Sequence, residues 1–323
     1  MRQAPVCGVL YPPLLLKKWR QGCPPSPTSV AVVSGTFDIL QPGNLLALLE
    51  ANRQARHVCV VLEDDETAAS HSRRGRPRHP LSARAEFLAQ VALIHAITSV
   101  PRAHAVAAFE ALSPYTWVCC PNQPAADPLA AIAARFAGQT IHLPVVDGCF
   151  TEQIEAAVQA GRTPIAVPEG RFPALPPGAP EARPAGGGRV TVNGCFDILH
   201  LGHLRLFAAA RQMGKELHVL LNDDTSVRRY KGPTRPVFPL PFRAAAVRAL
   251  KAVTQAHAFG TDEPLELLAS LKPEVHVKGG SFREERVQRE RELVESWGGK
   301  VVVCPLVPGY STSGYIQRAT GSA

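Results

Sequence analysis

The sequence predicts an α/β protein made of two tandem domains, each with a parallel sheet covered by helices. Three observations carry that expectation. Short apolar runs alternate with helix-patterned stretches, one motif occurs twice at a fixed spacing, and a stretch rich in Pro and Gly separates the two occurrences.

The elements are clearest in the C-terminal half. Val190-Thr191-Val192 reads as a short buried strand, and residues 202–213 follow as an apolar-faced helix. Leu217-His218-Val219-Leu220-Leu221 is a second strand. Leu240, Ala244, Val247, Leu250 and Val253 then recur at helical spacing. Val275-His276-Val277 and Val301-Val302-Val303 are further strands, with a charged helix at 282–297 between them. Continuous apolar strands alternating with helices argue for a parallel sheet buried on both faces. In such folds ligands lie beyond the carboxyl ends of the strands.

The repeat is read directly. Ser34-Gly35-Thr36-Phe37-Asp38-Ile39-Leu40 matches Asn193-Gly194-Cys195-Phe196-Asp197-Ile198-Leu199, an offset of 159 residues from Gly35 to Gly194. The same offset carries Asp64-Asp65 onto Asp223-Asp224, Arg76-Pro77 onto Arg235-Pro236, Pro80-Leu81 onto Pro239-Leu240, and Arg84 onto Arg243. Near the ends, Gly148 and Thr151 match Gly309 and Thr312 at an offset of 161. These matches read as a tandem duplication. The expected organisation is a loose Pro-rich tail over 1–29, a first copy over 30–162, a Pro/Gly-rich linker over 163–188 and a second copy over 189–323.

Composition narrows the function classes. A net charge of +8, mostly from arginine, suits acidic small molecules such as nucleotides and sugar phosphates. No dense Lys/Arg run with interleaved aromatics points to nucleic acid, and none is expected as a partner. No run approaches the roughly 18 apolar residues of a membrane span, so no membrane partner is expected. The eight cysteines show no C-x-x-C spacing, which argues against a zinc site, and several sit in apolar runs as reduced thiols do. A cytoplasmic location is the simplest expectation.

The chemistry concentrates at His200-Leu201-Gly202-His203, between the first strand and the next helix of the second copy. A helix N-terminus offers free N–H groups and the positive end of a dipole, and glycine allows close approach to a phosphate. Two imidazoles placed there suit stabilisation of charge that develops on a phosphoryl group. Lys278 ends a strand beside Gly279 and Gly280, where an ammonium could reach a phosphate.

The run from Gly194 to His203 resembles the signature of the cytidylyltransferase-like nucleotidyltransferases, a Rossmann-like family. Across 189–319 the resemblance is to the adenylyltransferase domain of bacterial ADP-heptose synthases. It is carried further by Arg229-Tyr230-Lys231-Gly232, Arg235-Pro236-Val237-Phe238-Pro239-Leu240, Val277-Lys278-Gly279-Gly280 and Gly309-Tyr310-Ser311-Thr312-Ser313. The resemblance implies an NTP bound with Mg²⁺ and attacked at its α-phosphate by a sugar phosphate. It implies catalytic roles for His200, His203, Lys231 and Lys278, with Lys231 in the loop after the second strand. It implies nucleotide contacts from Gly194, Cys195, Phe196, Gly202, Asn222, Asp223, Arg235, Gly279, Ser311, Thr312 and Arg318, and no protein-held metal.

The reaction so implied is AMP transfer from ATP to a sugar 1-phosphate, with D-glycero-D-manno-heptose 1-phosphate as the first acceptor considered. The alternative is a CTP-dependent cytidylyltransferase acting on an alcohol phosphate such as glycerol 3-phosphate or ethanolamine phosphate. Asp197, Asp224, Arg235 and Arg243 recur in both copies and are expected to shape the fold or pocket more than to react. Where the second copy has the two histidines the first has Gln41 and Asn44, and it has Cys119 in place of Lys278. The first copy is therefore expected to be inert, and either an internal pairing of the two copies or a homodimer is possible.

Overall fold

The computed structural model describes residues 12–26, 28–71, 77–101, 104–119, 132, 135–143, 151–167, 170–172, 188–279, 284–305 and 309–320. The chain divides into two compact units, Met1–Thr151 and Glu152–Ala323. Both are α/β units with five parallel strands.

The first unit runs α1 (Pro13–Gln21), β1 (Val30–Gly35), α2 (Pro42–Gln54), β2 (His57–Glu63), α3 (Asp65–His71), α4 (Leu81–Ala89), β3 (Ala96–Val100), α5 (Ala105–Leu112), β4 (Thr116–Cys119) and β5 (Gln139–His142). Its sheet has the order β3-β2-β1-β4-β5. β1, in the middle, is buried along almost its whole length, as a strand covered on both faces must be. The segment read as a loose tail is not loose throughout. Leu16, Trp19 and Cys23 fall on one face of α1 and the turn after it, and they bury with Ala105, Phe109 and Leu112 of α5. That apolar stripe outweighs the Pro-rich flanks. Arg20 adds a side-chain hydrogen bond to the Leu112 carbonyl at 2.9 Å.

The second unit follows α6 (Thr151–Gln159) with β6 (Arg189–Gly194), α7 (Leu201–Arg211), β7 (Glu216–Asn222), α8 (Asp224–Lys231) and α9 (Leu240–Arg248). β8 (Gln255–Phe259), α10 (Leu265–Leu271), β9 (Val275–Gly279), α11 (Glu284–Glu295), β10 (Lys300–Cys304) and α12 (Thr312–Thr320) complete it. Its sheet has the order β10-β9-β6-β7-β8. Read from the β8 edge, this is the strand order of the first unit. In each unit the order reverses beside the first strand, and the crevice between β6 and β9 is the switch point where such sheets bind ligands.

The region expected as a linker contributes to the second unit where it is described. The Ile165 amide donates to the Val237 carbonyl at 2.9 Å, and the Phe172 ring packs edge-on against Phe242 at 5.4 Å. Both Ile165 and Phe172 are buried. Two apolar side chains and one backbone bond are enough to hold a segment whose composition alone reads as a spacer.

Candidate active site

The loop from Cys195 to His200 joins the central strand β6 to α7. Phe196 holds a left-handed backbone, φ 45°, a strained conformation for a residue with a Cβ. Its ring folds back over Gly194, where a Cβ would come within 2.9 Å of it. Gly194 is therefore needed for close packing. The Phe196 ring in turn meets His203 and Phe207 edge-on, at 5.2 and 4.9 Å between centroids.

Two residues clamp this loop. Asp197 is 2% exposed and accepts from the amides of Val237 and Phe238 at 2.9 Å. It also pairs with Arg235 at 2.7 Å. Arg243, fully buried, donates to the carbonyls of Cys195 (2.6 Å), Asn222 (2.8 Å) and Phe238 (3.0 Å) and to Asp224 (2.7 Å). One guanidinium thus ties the ends of β6 and β7 to the turn before α9. The geometry gives Asp197 and Arg243 the structural duty expected of them. It also turns the Arg235 side chain into that clamp.

The first unit repeats most of these bonds. Asp38 accepts from the amides of Arg78 and His79 at 2.9 Å. Arg84 donates to Thr36 O (2.6 Å), His79 O (3.0 Å) and Asp65 (2.7 Å). Asp64 caps α3 through the Thr67 amide at 2.7 Å, as Asp223 caps α8 through Ser226 at 2.7 Å.

What the clamp positions differs between the units. In the second, His200 precedes α7 in extended backbone, φ −143°. Its ring stacks on His203 at 3.7 Å between centroids, with planes 21° apart. Burial, and then the neighbouring His200, hold the His203 imidazole well below its ordinary pKa. His203 is therefore neutral at pH 7 and keeps a single N–H to donate. Its Nδ1 is buried with no partner among the described residues. A Cβ on Gly202 would stand 3.0 Å from His200 Nδ1 and 3.5 Å from Tyr310 Cβ, so any side chain there would crowd the His200 ring.

Tyr310 introduces α12, the second helix that begins at this place. Thr312 Oγ1 donates to the Ile198 carbonyl at 3.3 Å, and Ser311 Oγ caps the helix by accepting from the Gly314 amide at 3.0 Å. The N-termini of α7 and α12 thus meet beside the stacked histidines. Both contribute free N–H groups and the positive ends of their dipoles. The Arg318 side chain lies outside the described residues.

The other expected residues fall around this centre. Asn222 ends β7 with its Nδ2 buried and unpartnered among the described residues. Lys231 is exposed at the last position of α8, not in a loop, because the helix continues until Gly232 adopts φ 95°. Cys195 contributes its carbonyl to Arg243, while burial pushes its thiol pKa up. Gly279 packs so closely on α7 that a Cβ would lie 2.5 Å from Leu206. Lys278, nine-tenths buried, is paired with Glu290 at 2.6 Å. Glu290 is a partner that sequence reading missed, because the run Arg289-Glu290-Arg291-Glu292 has the look of a solvated helix face. Among the described residues no group of three or more His, Cys, Asp or Glu is placed to hold a metal ion.

A parallel sheet whose switch point carries two helix N-termini and a stacked histidine pair is a place suited to the phosphates of a nucleotide. Residues 191–318 match the Cytidylyltransferase-like family model. The chain is similar to the bifunctional protein HldE of Acidiphilium cryptum, 48% identical over 126 residues, covering 39% of this chain and 26% of that protein. The HldE of Paramagnetospirillum magneticum is 46% identical over 130 residues, covering 40% and 26%. That of Hyphomonas neptunium is 39% identical over 207 residues, covering 59% and 42%. The chain therefore spans about a quarter of the first two relatives and under half of the third. No described helix is long and apolar enough to cross a membrane.

Proposed function

We propose that the second unit transfers AMP from ATP, which arrives as its Mg²⁺ complex, to a sugar 1-phosphate, D-glycero-D-manno-heptose 1-phosphate being the first acceptor to test. The observation that carries this reading is the meeting of two helix N-termini at the stacked pair His200 and His203. An oxygen of the acceptor phosphate attacks the α-phosphorus of ATP, forming a new P–O bond. The bond to the β-phosphate oxygen breaks, and pyrophosphate leaves with the electron pair. The acceptor oxygen is already ionised at neutral pH, so no side chain has to remove a proton.

Catalysis then rests on fixed donors aimed at charge that grows on the α-phosphate, the work of His200 and His203. The free amides of α12, set by Ser311 and Thr312, suit the β- and γ-phosphates. Lys231 and Lys278 supply compensating positive charge. The first unit, with Gln41 and Asn44 in the histidine positions, is read as an inert copy of the same domain. An internal pairing of the two copies and a homodimer are both compatible with this reading, and a dimer's mass in solution would favour the second. A cytoplasmic setting fits the free thiols of Cys23, Cys59, Cys119, Cys195 and Cys304.

The test is pyrophosphate release from MgATP or MgCTP against a panel of sugar and alcohol phosphates. Release with ATP and a heptose 1-phosphate supports the reading. Preference for CTP and an alcohol phosphate replaces it with the cytidylyltransferase alternative.

A further inference from the structure

A chain of buried polar side chains runs under the carboxyl ends of β6 and β9. Lys278 Nζ lies 2.6 Å from Glu290 Oε2 and donates to Asn193 Oδ1 at 2.8 Å. Asn193 Nδ2 donates to Glu290 Oε1 at 3.3 Å. Behind them His276 Nε2 faces Glu290 at 3.4 Å, and His276 Nδ1 meets Thr191 Oγ1 at 2.8 Å. Glu290 is 1% exposed and Lys278 8%.

Burial alone pushes the Glu290 carboxyl up, but the hydrogen bond to His276 and the charge of Lys278 more than offset this and hold it below its ordinary value. Burial conversely lowers the His276 imidazole, which sits neutral behind the pair. An ion pair taken out of water is often no better for stability than apolar side chains of the same size. Its place in the fold is what marks this one. β6 and β9 pair at Val192 and Val277, where the strand order reverses. Gly279, the residue after Lys278, packs against Leu206 of α7, the helix that opens at the histidines.

We propose that Glu290 is a positioning residue of the transfer site. It fixes Lys278 as a cation at the crevice between β6 and β9. An ammonium has three N–H groups; Glu290 and Asn193 take two among the described residues, and the third is left for a substrate phosphate. Asn193 keeps the lysine from swinging fully onto the carboxylate. This inference rests on the nucleotidyl-transfer reading above and adds to it a residue on α11 that never touches substrate.

A cycle in the full chain tests it, with Glu290→Gln, Lys278→Met and both together. Steady-state kinetics with MgATP and heptose 1-phosphate are expected to show the KM of one substrate raised about 10–100-fold in each single variant, the scale of one charged hydrogen bond. The kcat should stay within about twofold, since a contact made equally in ground and transition states acts on KM alone. The double variant should be no worse than either single one, because Glu290 acts only through Lys278. An unchanged KM in Glu290→Gln, or losses that multiply in the double variant, would overturn the proposal.

Thermal melting guards against loss of fold. Each single variant strands a buried partner and should melt lower, while the double variant should regain much of the difference. Restored melting with KM unmoved would mark a merely structural ion pair and reject the positioning role. Calorimetric binding of MgATP and of the sugar phosphate needs no turnover and separates the two claims. A wild type that binds but releases no pyrophosphate sinks the transfer reading, whereas overlapping affinity losses in the cycle still uphold the role of Glu290. No binding in the wild type sinks both.

Discussion

His200 and His203 stack with ring centroids 3.7 Å apart and planes 21° from parallel. Two imidazolium ions could not share that contact without strong repulsion, so the geometry itself favours at least one neutral ring. His203, held well below its ordinary pKa by burial and by His200, is that ring. The pair can then donate hydrogen bonds to a phosphate without a change of protonation during the reaction.

His203→Ala is accordingly expected to lower kcat by about 10²–10³, the usual loss for one preorganised donor. Asn44→Ala, at the matching position of the first unit, should leave the rate unchanged. Because His203 stays neutral, its titration should not lower kcat between pH 8 and pH 6.5, above the second pKa of about 6 of the acceptor phosphate. A rate that falls along an ordinary histidine titration would contradict the assignment. Stopped-time pyrophosphate assays across pH 6.5–8 read all three.

The clamp residues should behave differently. Asp197→Ala strands the buried Arg235 guanidinium and two amides, a change that typically costs about 3–5 kcal/mol. Urea unfolding should show that loss. In contrast, His203→Ala should unfold within about 1–2 kcal/mol of wild type. Equal destabilisation by both variants would undo the separation of clamp from chemistry.

Stability should also depend on pH. His218 and His257 stack within the β7–β8 pair, with His218 Nδ1 and His257 Nε2 3.0 Å apart. Burial, helped by His218, depresses His257 from 6.5 to about 4, and burial lowers His218 as well. The folded chain therefore binds these protons less readily than the unfolded chain. The stability they support is present above about pH 6.5 and is lost as the pH falls from there toward 4. His257 alone sets a limit of about 3 kcal/mol on that loss. Denaturation midpoints at pH 7.5, 5.5 and 4.5 check this, and a flat series in the wild type would refute it. His257→Gln should reduce the slope.

The first unit should not take up nucleotide. Glu63 stands where the second unit has Asn222. It is 2% exposed and accepts a hydrogen bond from Thr36. A carboxylate at that strand end opposes a phosphate-bearing ligand, and the positions of the two histidines hold Gln41 and Asn44. Calorimetric titration with MgATP should give one site per chain. Two sites per chain would contradict the reading.

Much of this was legible in residues. The strands around Val192, Val219, Val277 and Val302 announce themselves as unbroken apolar runs, and the offset of Gly35 from Gly194 maps onto clamps with matching partners. What escaped notice lacks periodicity. β8, Gln255-Ala256-His257-Ala258-Phe259, is an edge strand with too few large apolar residues to stand out. α1 hides its stripe of Leu16 and Trp19 between prolines, and Glu290 hides among alternating charges. In each case partners distant in sequence decide the outcome, and no local pattern encodes them.

The most direct test of the central claim is pyrophosphate release by the wild type and by His203→Ala, side by side, with MgATP and heptose 1-phosphate. We predict acceptor-dependent release by the wild type, reduced about 10²–10³-fold in the variant. Equal release by both would contradict the account, as would no release by the wild type with any nucleotide and phosphate acceptor.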